Sequence, residues 1–218
     1  MSSPHPVIAI DGTAASGKST FAKELGKRLG YTYINTGAMY RGVTWHLQQK
    51  GVPLTDAEAV AREIETARVE TKLQGGELAF LIAGIDPLPH VREARVNEGV
   101  SLVAKVAAVR KLLVAQQQRL AEEASLVMEG RDIGTVVFPR TPFKFFLDAD
   151  AEVRALRRQK QGETDAIQQR DALDSQRKES PLTCAPDALR LDSGLASVEQ
   201  LVATALDHLA ARGLPIPS

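Results

Sequence analysis

The sequence predicts an α/β fold in three layers, a central parallel sheet with helices on both faces, and three observations carry that expectation. Short apolar runs alternate with helical patterns along most of the chain, as parallel strands joined by crossover helices require. The first run, Val7-Ile8-Ala9-Ile10, feeds directly into Gly12-Thr13-Ala14-Ala15-Ser16-Gly17-Lys18-Ser19-Thr20 and then into a helical pattern. That order of strand, loop and helix is the context of a phosphate-binding loop. The rhythm breaks once, where a tight hairpin signal replaces a crossover, and this marks an inserted antiparallel subdomain.

Each element follows from local pattern. Behind the loop, Phe21, Ala22, Leu25 and Leu29 recur at helical spacing and Gly30 stops the helix. Residues 31–35 read as a second strand, 37–51 and 56–67 as helices. Residues 68–73 and 78–82 alternate as a hairpin around Gln74-Gly75-Gly76-Glu77, and 84–87 form a short β and turn segment. The insert is placed at 62–104, within a single domain spanning 1–218. A helical stretch then runs to Ala124, followed by strands at 125–129, 143–148 and 188–192 and a last helix at 198–211.

Composition limits the partners. The chain has 218 residues, and Lys plus Arg equals Asp plus Glu at 27 each, so bulk charge argues for neither nucleic acid nor an acidic membrane surface. No apolar run approaches the roughly 18 residues of a membrane span, and the start lacks a basic segment followed by an apolar core. A cytoplasmic monomer is expected. The single cysteine, Cys184, has no metal-ligand partner nearby in sequence and reads as structural.

The loop dictates the chemistry. Its glycines let successive backbone N–H groups turn inward on the phosphates of a nucleoside triphosphate, Lys18 reaches the β and γ oxygens, and the Ser19 hydroxyl suits Mg²⁺. The helix start adds its partial positive charge. Further along, Arg154, Arg157 and Arg158 share one helical face, and Arg170, Asp174 and Arg177 share another. Alone, such a stretch is a solvated helical hairpin laced by ion pairs. Beside a phosphate loop, 151–180 reads instead as a short Arg-rich lid that neutralises a transferring phosphoryl group.

Three further segments, with the insert, match one family. Asn35-Thr36-Gly37-Ala38-Met39-Tyr40-Arg41, then Glu129-Gly130-Arg131-Asp132-Ile133-Gly134-Thr135, then Arg170-Asp171 through Asp174 to Arg177 follow the phosphate loop in order. So do Ile85-Asp86, Val91-Arg92, Asn97, Ser101 and Val109-Arg110 in the insert. Over residues 7 to 210 the chain resembles bacterial cytidylate kinases, within the P-loop nucleoside monophosphate kinases. The resemblance implies that fold and transfer of the ATP γ-phosphoryl group to CMP or dCMP. By position it implies that Thr36, Arg41 and Arg131 hold the monophosphate and that Ser101, Arg110 and Asp132 read cytosine. Arg170 and Asp174 correspond to sugar contacts, and Arg177 with Arg154, Arg157 and Arg158 to the lid. Lys18, Arg131, Arg154, Arg158 and Arg177 are then the catalytic set.

The residue types agree. A carboxylate such as Asp132 accepts from the cytosine N4 amino group, while Arg110 and Ser101 serve N3 and O2. Glu129 is open between positioning hydrated Mg²⁺ and a structural role. Asn35 stands where a carboxylate often precedes Thr-Gly, and only 11 residues separate Arg158 from Arg170, a short lid. A straight helix would set Ser101 and Arg110 about 180° apart, so a break is expected between Ser101 and Val109. A GTPase reading fails for want of Asn-Lys-x-Asp and Asp-x-x-Gly. The runner-up is a kinase of the same fold with another small acceptor, such as shikimate.

Overall fold

The computed structural model describes residues 5–160 and 182–217, without the side chains of Arg158 and Lys160. Arg170, Asp174 and Arg177, with the second half of the expected lid, lie outside the described residues.

Five strands form one sheet in the order β2, β5, β1, β6, β7. They are β1 (Val7–Gly12), β2 (Thr32–Asn35), β5 (Leu126–Glu129), β6 (Lys144–Asp148) and β7 (Leu189–Asp192). β1 pairs in parallel with β5, Ile10 opposite Glu129, and with β6, Gly12 opposite Leu147. β6 pairs in parallel with β7, Leu147 opposite Leu191. All six residues of β1 are buried, which explains why Val7 to Ile10 form an apolar run with no polar alternation.

Helices α1 (Lys18–Leu29) and α7 (Val198–Ala211) close the core on the sheet. Phe21, Leu25 and Leu29 from α1 meet Leu201, Val202, Ala205 and Leu209 from α7 over Ile8, Ile10, Val127, Phe145 and Leu147. Phe21 and Phe145 stand edge to face, 5.9 Å between centroids, and each fully buried side chain of this size contributes about 1.5–3 kcal/mol. α1 ends at Gly30 in the left-handed conformation, its N–H returning to the Gly26 and Lys27 carbonyls. Ser197 caps α7 in a reciprocal box with Gln200.

The chain divides into two compact units, one comprising residues 1–34 with 124–218 and the other 35–123. The second contains α2 (Thr36–Gln49), α3 (Ala57–Thr66), α4 (Ala94–Val103) and α5 (Ala107–Glu123), with the residues 62–104 that the sequence marks as the insert. Its two-stranded sheet pairs β3 (Val69–Gln74) with β4 (Glu77–Ile82) in antiparallel register, Gln74 opposite Glu77. Gly75 and Gly76 make the turn at φ 61° and 81°, the left-handed pair that a two-residue hairpin needs. Trp45 on α2 lies flat on His90, 4.6 Å between ring centroids.

The break expected between Ser101 and Val109 is present. α4 ends at Val103, Ala104 to Val106 turn with Val106 N–H donating to Val103 O at 3.1 Å, and α5 begins at Ala107. The buried Arg110 guanidinium donates to Ala104 O at 3.4 Å, one helical turn beyond Ser101.

Candidate active site

The loops at the carboxyl ends of the strands carry the site, the side on which open parallel sheets bind ligands. β1 leads into the phosphate loop, β5 into Gly130-Arg131-Asp132, β6 ends at Asp148, and Ser193 follows β7.

Gly12 to Gly17 form a tight cradle. Gly12 has φ 152°, and a Cβ there would lie 1.9 Å from the Leu147 carbonyl oxygen, so only glycine fits between β1 and β6. Ala15 and Gly17 take φ 58° and 83°, which curls the chain. Three carbonyls of the loop accept hydrogen bonds from side chains. Thr13 O accepts from Ser16 Oγ at 3.0 Å and from Lys18 Nζ. Ala14 O accepts from Arg154 Nη1 at 3.3 Å, and Ser16 O from Ser193 Oγ at 2.6 Å. In a trans peptide the C=O and the following N–H point in opposite directions. Each tied carbonyl therefore fixes the direction of the N–H that follows it, at Ala14, Ala15 and Gly17, in a loop curled as an anion nest requires.

Lys18 is buried at 6% exposure and Ser19 and Thr20 are exposed on the first turn of α1. Thr13 Oγ1 donates to Asp148 Oδ1 at 2.7 Å, which secures the loop to the end of β6. α6 (Ala151–Lys160) sends two arginines toward the loop. Arg154 is buried and also donates Nε to Ala149 O at 2.9 Å. Arg157 donates to both Ser193 Oγ and Ser193 O, at 2.9 and 2.6 Å.

The second arm of the site hangs on Asp11, which sequence reasoning missed. Gly130 N–H continues the β1 to β5 ladder onto Ile10 O at 2.9 Å. Beyond Asp132 the chain makes a wide π-type turn, Ile133–Val137, and the Asp11 carboxylate accepts from Ile133 N–H and Gly134 N–H, both at 2.7 Å. Burial pushes the Asp11 carboxyl up to about 6, against the pull of those two N–H groups; Asp132 adds to the rise and Lys18 opposes it. A Cβ on Gly134 would be tight, 3.1 Å from Lys144 Cδ and 3.3 Å from Asp11 Oδ2. Asp132 is 5% exposed and Arg131 partly exposed. Glu129 is buried, and Tyr33 Oη donates to it.

The residues expected to bind the acceptor are found in both units. Arg131 and Asp132 lie in the first, Thr36, Arg41, Ser101 and Arg110 in the second. In the second unit Thr36 is the buried first residue of α2, whose start is capped by Asn35 Oδ1 accepting from Ala38 N–H at 2.9 Å. The amide oxygen thus does the capping a carboxylate would do. Arg41 donates to Gly37 O at 3.1 Å, and Arg110 lies over the Tyr40 ring at 5.8 Å. α2 and the break before α5 therefore bring Tyr40 and Arg110 together beside Ala104.

Asp11 and Ser193 were open to discovery only through partners 122 and 177 residues distant. A polar residue ending an otherwise apolar strand beside the phosphate loop was the one local signal for Asp11.

Comparison with known proteins places these elements in a lineage. A family model described as cytidylate kinase matches residues 8–211. A cytidylate kinase of Desulforamulus reducens is 43% identical over 209 residues, covering 91% of this chain and 94% of that protein. One from Geobacillus kaustophilus is 42% identical over 206 residues, covering 89% and 92%. A bifunctional pantoate ligase/cytidylate kinase of Synechococcus is 42% identical over 210 residues, covering 90% of this chain and 43% of that protein. Similarity of this extent, with the family model reaching from β1 to the end of α7, leaves one conclusion: the chain belongs to the cytidylate kinase family.

Proposed function

We propose that this chain transfers the γ-phosphoryl group of ATP to CMP or dCMP, giving CDP or dCDP and ADP. The observation that carries the reading is the phosphate loop with its carbonyls held by side chains, in a chain matched by the cytidylate kinase model over residues 8–211. Gly12 to Thr20 cradle the donor phosphates, with Lys18 balancing the β and γ oxygens. The exposed Ser19 hydroxyl on the first turn of α1 suits Mg²⁺, which keeps several waters and binds through few protein ligands and the substrate phosphates. The ion, when bound, neutralises charge on those phosphates.

The acceptor is a phosphate oxygen, already an anion at neutral pH, so the protein needs no general base and works by positioning and charge stabilisation. Thr36, Arg41 and Arg131 hold the monophosphate; Ser101, Arg110 and Asp132 read the cytosine. Arg170 and Asp174 hold the sugar, and Arg154, Arg158 and Arg177 serve the transferring group from the lid. The protein acts on free nucleotides as a cytoplasmic monomer, without nucleic acid or membrane. Among the described residues no helix is long and apolar enough to cross a membrane.

The test is ADP release measured against CMP, dCMP, UMP, AMP and shikimate. Turnover is expected with CMP and dCMP well above the rest. Preference for shikimate or a purine monophosphate would refute the acceptor assignment while leaving the donor site in place.

A further inference from the structure

Ser193 stands where the end of the sheet, the phosphate loop and the lid helix meet. Its N–H extends the β6 to β7 pairing onto Asp148 O at 2.9 Å, which sets its register. Its side chain is turned inward and the residue is 6% exposed. The hydroxyl has one proton and two lone pairs. The proton goes to Ser16 O at 2.6 Å, with Asp148 O further off at 3.2 Å, and a lone pair accepts from Arg157 Nη1 at 2.9 Å. The Ser193 carbonyl takes Arg157 Nη2 at 2.6 Å. One guanidinium fork thus grips one residue through two parallel bonds, a geometry that lysine cannot reproduce.

The Ser16–Gly17 peptide is the part of the loop that most needs such an anchor. It leads into the left-handed Gly17 at φ 83°, two residues after the left-handed Ala15 at φ 58°, and a peptide plane next to a glycine rotates at little steric cost. Holding Ser16 C=O toward Ser193 holds Gly17 N–H toward the phosphate side. The Arg157 Nη1 lies 3.6 Å from the position of a Gly17 Cβ, so the guanidinium backs the same peptide from outside. Arg154 performs the matching task two peptides earlier, at Ala14 O.

We propose that Ser193 is a positioning residue for the donor phosphates, orienting the Gly17 N–H through Ser16, and that Arg157 locks Ser193 in place as an anchor of the loop. This rests on the reading of the loop as the ATP site. Arg157 then has an anchoring task, unlike Arg158 and Arg177, which serve the transferring group. The coupling also means that a displacement of α6 is felt directly by the loop.

The test compares the full-length wild type with Ser193→Ala, Ser193→Thr, Arg157→Lys and the Ser193→Ala/Arg157→Lys double variant. Binding of a fluorescent ATP analogue is measured beside steady-state ADP release and thermal unfolding. Ser193→Ala and Arg157→Lys should each weaken analogue binding and raise the KM for ATP about tenfold, the scale of one lost charge-assisted link. The KM for CMP should stay within about twofold, Ser193→Thr should recover most of the loss, and the double variant should be no worse than the worse single one. Unchanged analogue binding in Ser193→Ala, an equal rise of both KM values, or additive losses would overturn the proposal. A wild type that binds the analogue without phosphorylating CMP would refute the acceptor reading instead, and the binding comparison would still decide the role of Ser193. Should Ser193→Ala fail to fold, analogue binding by Arg157→Lys against wild type decides the matter: a tenfold loss supports the anchor and an unchanged affinity overturns it.

Discussion

Asp11→Asn is expected to make the protein more stable and less active at neutral pH, because a buried charge is removed along with half of a positioning contact. The Asp11 carboxyl titrates at about 6 in the folded chain against 3.8 for the unperturbed group. A folded value above the unfolded one means that the stabilising contribution of this group is complete below pH 3.8 and is lost as pH rises through about 6. From those two values, ionised Asp11 costs the fold about 1 kcal/mol at pH 4.5 and about 3 kcal/mol at pH 7.

Asparagine matches the protonated acid in shape, one oxygen accepting and one group donating, and carries no such cost. The N–H left without an acceptor costs about 1 to 3 kcal/mol, so the variant's melting temperature at pH 7 should exceed that of the wild type by up to about 8 °C, with the advantage gone at pH 4.5. Activity should move the other way. The amide can accept from only one of the Ile133 and Gly134 N–H groups, and the turn after Asp132 relaxes, so turnover on CMP should fall at least about tenfold. The assay is thermal unfolding of both proteins across pH 4.5 to 7 in one ionic strength, with initial rates on CMP. Asp132 and Lys18 are the charged groups bearing on Asp11, and the stem of Lys144 packs behind Gly134; all are shared by the two proteins. An asparagine variant less stable than wild type at every pH, with a constant gap, would refute the reasoning.

Three further outcomes are expected. Lys18→Ala should lower turnover at least about a hundredfold, since the charge stabilises the transferring phosphoryl group more than the bound ATP; near wild-type rates would remove Lys18 from the site. Asp132→Asn should cost about 1 to 3 kcal/mol in kcat/KM for CMP while ATP affinity holds, and an equal loss for ATP would assign Asp132 to the donor side or to folding. Gly12→Ala should prevent the stable fold or lower the melting temperature by many degrees, because its methyl would sit 1.9 Å from the Leu147 carbonyl oxygen; unchanged unfolding would show that β1 and β6 can part there freely.

What could be read in the sequence was what depends on neighbours in sequence. The phosphate loop, the Gly75-Gly76 hairpin and the last helix each rest on a pattern of a few residues, and they lie where the pattern puts them. The break before α5 was legible too, though indirectly: Ser101 and Arg110 needed a common side, and a straight helix forbids it. Asp11, Ser193 and the wide turn at Ile133–Val137 were not legible. Each is defined by a contact that closes only when β5, β6 and β7 line up beside β1, and a serine after a strand or an aspartate before a glycine has many commoner uses. Arg157 shows the same limit from the other side. Helical spacing grouped it with Arg154 and Arg158, but its partner is fixed by the register of β7.

Trp45 is the only tryptophan in the chain, and it belongs to the unit of residues 35–123 with its ring flat on His90. Excitation at the red edge of the protein band therefore illuminates one unit and leaves the other dark. Emission from Trp45 reports whether α2 and the His90 turn remain together, whereas circular dichroism averages over every helix in the chain. Melting curves recorded by the two signals will coincide if both units unfold in a single cooperative step and separate if the acceptor-side unit opens first.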